Sequence, residues 1–324
     1  MSLSSSHSPD LNSHHGRATP HAAILAVGAA ACLLLGSCAV DDDEATVSGP
    51  PAPTGPAAPS TDAGIHSSDE AATDGPRYAR YVALGDSFAA FGPVAAPTSG
   101  PENCLRSTLN YPAVLARSAT IGHLVDVTCG GARTIDMTGR QIPQTPPQFD
   151  ALTGDTDLVT LSIGGNDIGF GDIAGCVITT RSEGGAPCRD RLEAPVTTAL
   201  DALPAQLDAV YAGIRERSPD ARIVTTAYMP LVPADGGCGF VSAMSPGDVT
   251  WTRYVTARIN LLVADAAARA GAEVVAPADA DDRHACAPPA QRYTDFTGAE
   301  TGSHPMHPTA HGQAAMADAV AGVL

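Results

Sequence analysis

The stretch RYVALGDSFAA, residues 80–90, sets the reading of the whole chain. Tyr81 to Leu84 is a short, continuous apolar run that lacks the polar alternation of a strand with one wet face. Such a run fits a strand buried on both sides, as in a parallel sheet. Gly85 permits a tight exit, which leaves Asp86 and Ser87 at the strand's carboxyl end. Four further runs share the pattern: Leu124 to Thr128, Leu158 to Ile163, Arg222 to Ala227 and Ala272 to Ala276. Helical stretches lie between them near Tyr111 to Ser118, Pro195 to Arg217 and Thr252 to Ala270, and a last one runs from about Pro308 to Val323. The order is mostly β-α-β. Right-handed crossovers turn that order into a three-layer, doubly wound α/β fold with a five-stranded parallel sheet and helices on both faces. In open sheets of this kind ligands sit beyond the carboxyl ends of the strands. Three of the five strand ends carry the most chemically suggestive residues.

Of the 324 residues 44% are hydrophobic and only 4% aromatic, so the core must be built from Ala, Val, Leu and Ile. A net charge of −17 leaves no basic face with which to hold phosphates, which excludes nucleic acid as a partner. Residues 1–38 read as an export signal: Arg17 supplies positive charge, and Ala22 to Leu35 is an uncharged run too short to span a bilayer comfortably. The run ends in Leu35-Gly36-Ser37-Cys38, which resembles the bacterial lipobox, so Cys38 is the expected lipidation site and the membrane is reached only through that anchor. Residues 39–76, rich in Pro, Gly, Ser and Asp, read as a disordered acidic linker. Residues 77–324 then form one domain.

Cys32 falls inside the signal and Cys38 carries lipid, which leaves Cys104, Cys129, Cys176, Cys188, Cys238 and Cys286. An even number in an exported chain favours three disulfides, with 15 pairings open to six cysteines. No two have the spacing of a zinc ligand pair, and nothing in the sequence calls for a metal or an organic cofactor.

Four segments carry chemistry, each ordinary by itself. Gly85-Asp86-Ser87-Phe88 offers a hydroxyl but is also common turn chemistry. Cys129-Gly130-Gly131-Ala132 leaves backbone N–H groups free to meet an oxyanion, or is simply a loop. Gly164-Gly165-Asn166-Asp167 offers an amide donor, or a turn-stabilising asparagine. His307-Pro308 places an imidazole at the expected entry of the last helix; a lone surface histidine is the bland alternative.

Together and in this order the four segments resemble the SGNH (GDSL-type) serine hydrolases, from about Arg80 to the C-terminus. The resemblance implies a flavodoxin-like fold and carboxylic ester hydrolysis, with Ser87 as nucleophile, His307 as base, and Gly131 and Asn166 in the oxyanion hole. The six cysteines are similar to those of secreted bacterial esterases and lipases whose pairing is sequential. That likeness implies Cys104–Cys129, Cys176–Cys188 and Cys238–Cys286. Asp86 and Asp167 are expected to brace their turns.

One position departs from the family. Where an Asp usually precedes the catalytic His by three residues, this chain has His304, in Ser303-His304-Pro305-Met306-His307. An imidazole supplies no negative charge to stabilise an imidazolium, so the His304 main-chain carbonyl is expected to orient His307. Asp295 and Glu300 are the remaining candidate carboxylates, and His284 is the competing base. The expected substrate is a small-molecule or lipid ester, held where residues 88–103 and 169–191 shape an acyl pocket. Deacetylation of envelope carbohydrate, thioester cleavage, and a lipid-anchored binding protein with a degenerate site are the rival functions.

Overall fold

Residues Tyr78–Gly85 form β1, and from Tyr81 onward every one of them is buried. In the computed structural model, which describes residue 75 and residues 77–181 and 184–324, the elements follow in this order. After β1 come α1 (Ser87–Ala90), β2 (Thr98–Ser99), β3 (Arg106–Ser107), α2 (Tyr111–Leu115), β4 (Ile121–Asp126) and β5 (Leu158–Ser162). Then follow α3 (Phe170–Thr179), α4 (Pro187–Arg217), β6 (Arg222–Thr226), α5 (Gly239–Ser242), α6 (Pro246–Arg269) and β7 (Glu273–Val275). The chain closes with β8 (Thr294–Asp295), β9 (His307–Pro308) and α7 (Ala310–Ala321). The export signal, Cys38 and the linker, Gly75 apart, lie outside the described residues.

The main sheet has five strands in the order β4-β1-β5-β6-β7, all parallel. Counted along the chain this is 2-1-3-4-5, the flavodoxin-like order, and it reverses direction between β1 and β5. The crevice at that reversal is where a ligand belongs. Ser87 follows the end of β1, and Asn166 lies four residues past β5, one on each side of it.

Strand periodicity of two explains the layers. Tyr81 and Ala83 of β1 point into a cluster with Tyr111 and Leu115 of α2 and Met316, Ala317 and Val320 of α7. Val82 and Leu84 point the other way, into a larger core with Leu203, Leu207 and Ile214 of α4 and Ile259 and Val263 of α6. The aliphatic composition is thus spent on two helix layers against one buried sheet.

Two helices begin earlier than the sequence suggests. α4 starts at Pro187 and carries Pro195, the expected start, inside it together with Pro204. An internal proline costs roughly 3 kcal/mol. Burial of Val196, Leu200, Leu203, Leu207, Val210, Tyr211 and Ile214 along one face offsets that cost, at about 1.5–3 kcal/mol for each large side chain. The start is also anchored: the Asp248 carboxylate of α6 accepts the N–H groups of Cys188 and Arg189, and Cys188 is bonded to Cys176. α6 begins at Pro246, six residues before Thr252, with Ser245 as its N-cap.

Disulfides join Cys104 to Cys129, Cys176 to Cys188 and Cys238 to Cys286, across 25, 12 and 48 residues. Closing loops of these lengths restricts the unfolded chain by roughly 3–4 kcal/mol each in the chain-entropy picture.

Candidate active site

Ser87 is the first residue of α1, capped by Asp86, whose Oδ1 accepts the Phe88 N–H at 2.9 Å. The turn that delivers it is held from several sides. Gly85 donates its N–H to Gln148 Oε1 at 2.7 Å, and its carbonyl accepts from Gln148 Nε2 at 2.9 Å. Gly85 has φ +143, and a Cβ there would meet the Ser162 carbonyl oxygen at 2.5 Å, so only glycine fits where β1 passes β5. At the far end of α1, Gln313 of α7 donates to the carbonyls of Phe88 and Phe91.

His307 comes to this serine from 220 positions away. Its Nε2 lies 2.7 Å from Ser87 Oγ and its Nδ1 lies 2.7 Å from the carbonyl oxygen of Pro305. A carbonyl can only accept, so Nδ1 carries the proton and Nε2 is free to accept the serine O–H. Two expectations are corrected here. The orienting carbonyl belongs to Pro305, not His304; the His304 carbonyl instead accepts the backbone N–H of His307 at 3.3 Å. The reason is the left-handed backbone of Met306, at φ 62, which folds the His307 ring back over the residue two before it. Pro308 also does not open a helix. His307 and Pro308 form β9 against β8, with Asp295 opposite His307, and α7 starts at Ala310 after its N-cap Thr309.

The competing residues are engaged elsewhere. Asp295 Oδ1 accepts the N–H groups of Thr297 and Gly298, while its Oδ2 accepts from Thr301 Oγ1 and pairs with Arg292. Glu300 pairs with the same Arg292 at the surface. His284 Nδ1 accepts the Cys286 N–H.

The two glycine-bearing loops are bonded to each other through Asn166 and Asp167, and Gly165 and Asn166 line the cleft with Ser87. Gly131 has φ +77, and its N–H takes no hydrogen-bond partner among the described residues, while its neighbours Gly130 and Ala132 are tied to Cys104 and Cys129. Asn166 shares the cleft with Ser87 and donates one amide proton to the Ala132 carbonyl at 2.9 Å; the other has no partner among the described residues. Asp167 accepts from the backbone and hydroxyl of Thr134, bracing one loop on the other.

Burial controls the charges. Among Phe88, Phe91 and Phe170, with ring centroids 5.5, 4.7 and 6.3 Å away, the His307 imidazole is pushed down to about 4 by desolvation, against the opposing pull of the Pro305 carbonyl. Burial likewise pushes Asp86 up to about 7, opposed by hydrogen bonds from Tyr228 and Phe88. A base must be neutral to accept a proton, so with His307 in that role activity would be lost as pH falls through its value. The acid limb of kcat/KM on a p-nitrophenyl ester is therefore expected near pH 4, well under the ordinary histidine value of about 6.5. A limb centred on 6.5 would contradict the burial described here.

Residues 83–315, from β1 into α7, match the GDSL-like lipase/acylhydrolase family. The chain belongs to that family. It is 38% identical over 273 residues to Lipase 2 of Streptomyces coelicolor, covering 82% of this chain and 91% of that protein. It is 37% identical over 158 residues to a lipase of Streptomyces rimosus, covering 49% of this chain and 55% of that one. Among solved structures, the extracellular lipase of Streptomyces rimosus aligns with a TM-score of 0.64 at 27% identity, over 76% of this chain and 99% of that one. Phospholipase A1 of Streptomyces albidoflavus NA297 aligns with a TM-score of 0.60 at 26% identity and the same coverage. As a member of this family the chain is a serine ester hydrolase.

Beside Ser87 this GDSL-like enzyme has a cleft lined mainly by Phe88, Ile168, Phe170, Leu231, Val255 and Ile259. A second apolar hollow, reaching Ile173, Val177, Met244 and Met306, shares Phe170, Leu231, Val255 and Thr256 with the first. Residues 169–191 contribute through α3, as expected, but Phe88 is all that residues 88–103 give to either hollow. The opposite wall comes from α6 and the segment after β6. Sequence reading also missed Pro305 and Tyr228. Only the X-Pro step before Met306 hints at the first, and an isolated tyrosine after a strand gives no signal for the second.

Proposed function

We propose that the enzyme hydrolyses fatty acyl esters through an acyl-enzyme on Ser87, with His307 as general base and the Pro305 carbonyl as its orienting partner. The observation that carries this reading is the unbroken chain Ser87 Oγ, His307 Nε2, His307 Nδ1, Pro305 O, at 2.7 Å on either side of the ring. His307 takes the Ser87 proton as Oγ attacks the ester carbonyl, then returns it to the leaving alcohol; water repeats the sequence on the acyl-enzyme. The Ser87 and Gly131 N–H groups and the Asn166 side chain receive the oxyanion, each donor being worth about 10²–10³ in turnover.

An apolar cleft that shares Phe170, Leu231, Val255 and Thr256 with a second apolar hollow favours an acyl chain over the acetyl group of a carbohydrate. A buried methylene contributes about 0.8 kcal/mol, roughly fourfold in kcat/KM. The p-nitrophenyl acetate, butyrate, octanoate and laurate series is therefore expected to climb at least tenfold from acetate to its maximum. A maximum at acetate, together with release of acetate from acetylated xylan or peptidoglycan, would favour the deacetylase reading instead.

The three disulfides and the likeness to an extracellular lipase support export. Diacylation of Cys38, with the chain held at a membrane through that lipid, is the finer part of the reading. The mass of the mature N-terminal peptide tests it, and an N-terminus at any other residue would remove the anchor.

A further inference from the structure

Tyr228 stands two residues past β6 and touches no reacting atom, yet its hydroxyl joins both halves of the site. It donates to Asp86 Oδ2 and accepts the N–H of Gly165 at 2.8 Å. Asp86 is the cap of the nucleophile turn, and Gly165 directly precedes Asn166. We propose that Tyr228 is a positioning residue whose hydroxyl fixes the Asn166 amide relative to Ser87, so that the oxyanion meets a donor already aimed at it. This rests on Asn166 acting in the oxyanion hole.

The tyrosine is itself held rigidly. Asn260 of α6 clamps its backbone twice, accepting the Tyr228 N–H and donating to the Tyr228 carbonyl, both at 2.9 Å. The ring stands edge-on to Phe88 with centroids 4.9 Å apart. Burial keeps the phenol protonated, so it remains a donor to Asp86. A buried hydroxyl needs partners, but nothing in folding requires them to be the two catalytic turns. Gly165 fits the same contact: a Cβ there would lie 3.1 Å from the tyrosine oxygen, so a side chain would crowd the hydroxyl by a few tenths of an ångström. Three strand ends, those of β1, β5 and β6, are thereby joined through one oxygen atom.

Tyr228→Phe keeps the ring and removes the bridge. With an oxyanion donor no longer held in place, kcat is expected to fall on the order of 10–100-fold while KM stays within about threefold. Affinity for an alkylboronic acid, which mimics the tetrahedral intermediate, should fall in step with kcat/KM. The deciding measurement is a double-mutant cycle with Asn166→Ala, run well below the lowest melting midpoint, with sites counted by phosphonate titration. If Tyr228 acts through Asn166, the double variant should lose little more than Asn166→Ala alone. Losses that multiply, or a Tyr228→Phe kcat equal to wild type, would overturn the inference while leaving Ser87 and His307 in their roles. An Asn166→Ala enzyme with full turnover would instead remove the oxyanion assignment, and the inference with it. Should Tyr228→Phe fail to accumulate as folded protein, Gly165→Ala crowds the hydroxyl from the other side: a lower kcat at unchanged KM is expected, and an unchanged kcat would overturn the proposal.

Discussion

Ser87→Ala is expected to reduce ester hydrolysis by about 10⁶-fold, to the level that residual oxyanion stabilisation and binding can support. Among the described residues the hydroxyl has one hydrogen bond, to His307 Nε2, and Ser87 is only 7% exposed at the mouth of the cleft. Removing it leaves no buried donor stranded, because Nε2 carries no proton while Nδ1 is bonded to the Pro305 carbonyl. The cost to folding should therefore stay within about 1 kcal/mol, the usual worth of one hydrogen bond. Loss of activity with an unmoved melting midpoint is the expected pair of results. A fluorophosphonate should modify the wild type at Ser87 and leave the variant unlabelled. Wild-type turnover in the variant, or a label on another serine, would refute the nucleophile.

Much of this fold was legible because burial on both faces leaves a mark that needs no partner information: Tyr81 to Leu84 and Leu158 to Ser162 are apolar or β-branched almost throughout. The prolines were less transparent. Pro195 reads as a helix start because proline suits the first turn, yet it lies in the third turn of α4, where the buried Leu200–Ile214 face and the Asp248 cap outweigh it. Pro308 misleads in the same way. It precedes a helix, but Thr309 takes the cap, and Thr294 and Asp295, distant in sequence, pair with His307 and Pro308 as a ladder. Local preference cannot report such long-range partners.

The site shows the same division. Ser87, Gly131, Asn166 and His307 were readable as residue types at strand ends, because small residues and polar groups interrupt apolar runs there. What sets their geometry was not. The choice between the His304 and Pro305 carbonyls turns on one backbone angle at Met306, a residue whose ordinary preference is right-handed or extended. Tyr228 reaches Asp86 across 142 positions and Gly165 across 63, separations that no motif encodes.

His307→Ala should cost about as much as Ser87→Ala, since nucleophile and base fail as a unit and their effects do not add. The informative comparison sets it beside His304→Ala, Asp295→Asn and Glu300→Gln. A carboxylate that completes a triad is worth about 10⁴ in turnover, because it holds the tautomer and stabilises the imidazolium. Here the Nδ1 proton already points at the Pro305 carbonyl, an atom that survives every one of these substitutions. His304→Ala loses a ring tilted at 38° with its centroid 4.4 Å from that of Phe91 and is expected to keep kcat within several-fold. Glu300→Gln, at the surface, should be silent. Asp295→Asn is the demanding case: its two oxygens gather Thr297, Gly298, Thr301 and Arg292 in the loop that ends in His307, so its melting midpoint should drop. Its turnover per titrated site should nevertheless remain near wild type. A collapse of kcat in folded Asp295→Asn, Glu300→Gln or His304→Ala would show that a side chain, not the carbonyl, supports the base. With all three active and His307→Ala dead, a carbonyl dipole suffices to orient His307, and the low ionisation range of the imidazole follows from its burial, which the Pro305 carbonyl opposes without reversing.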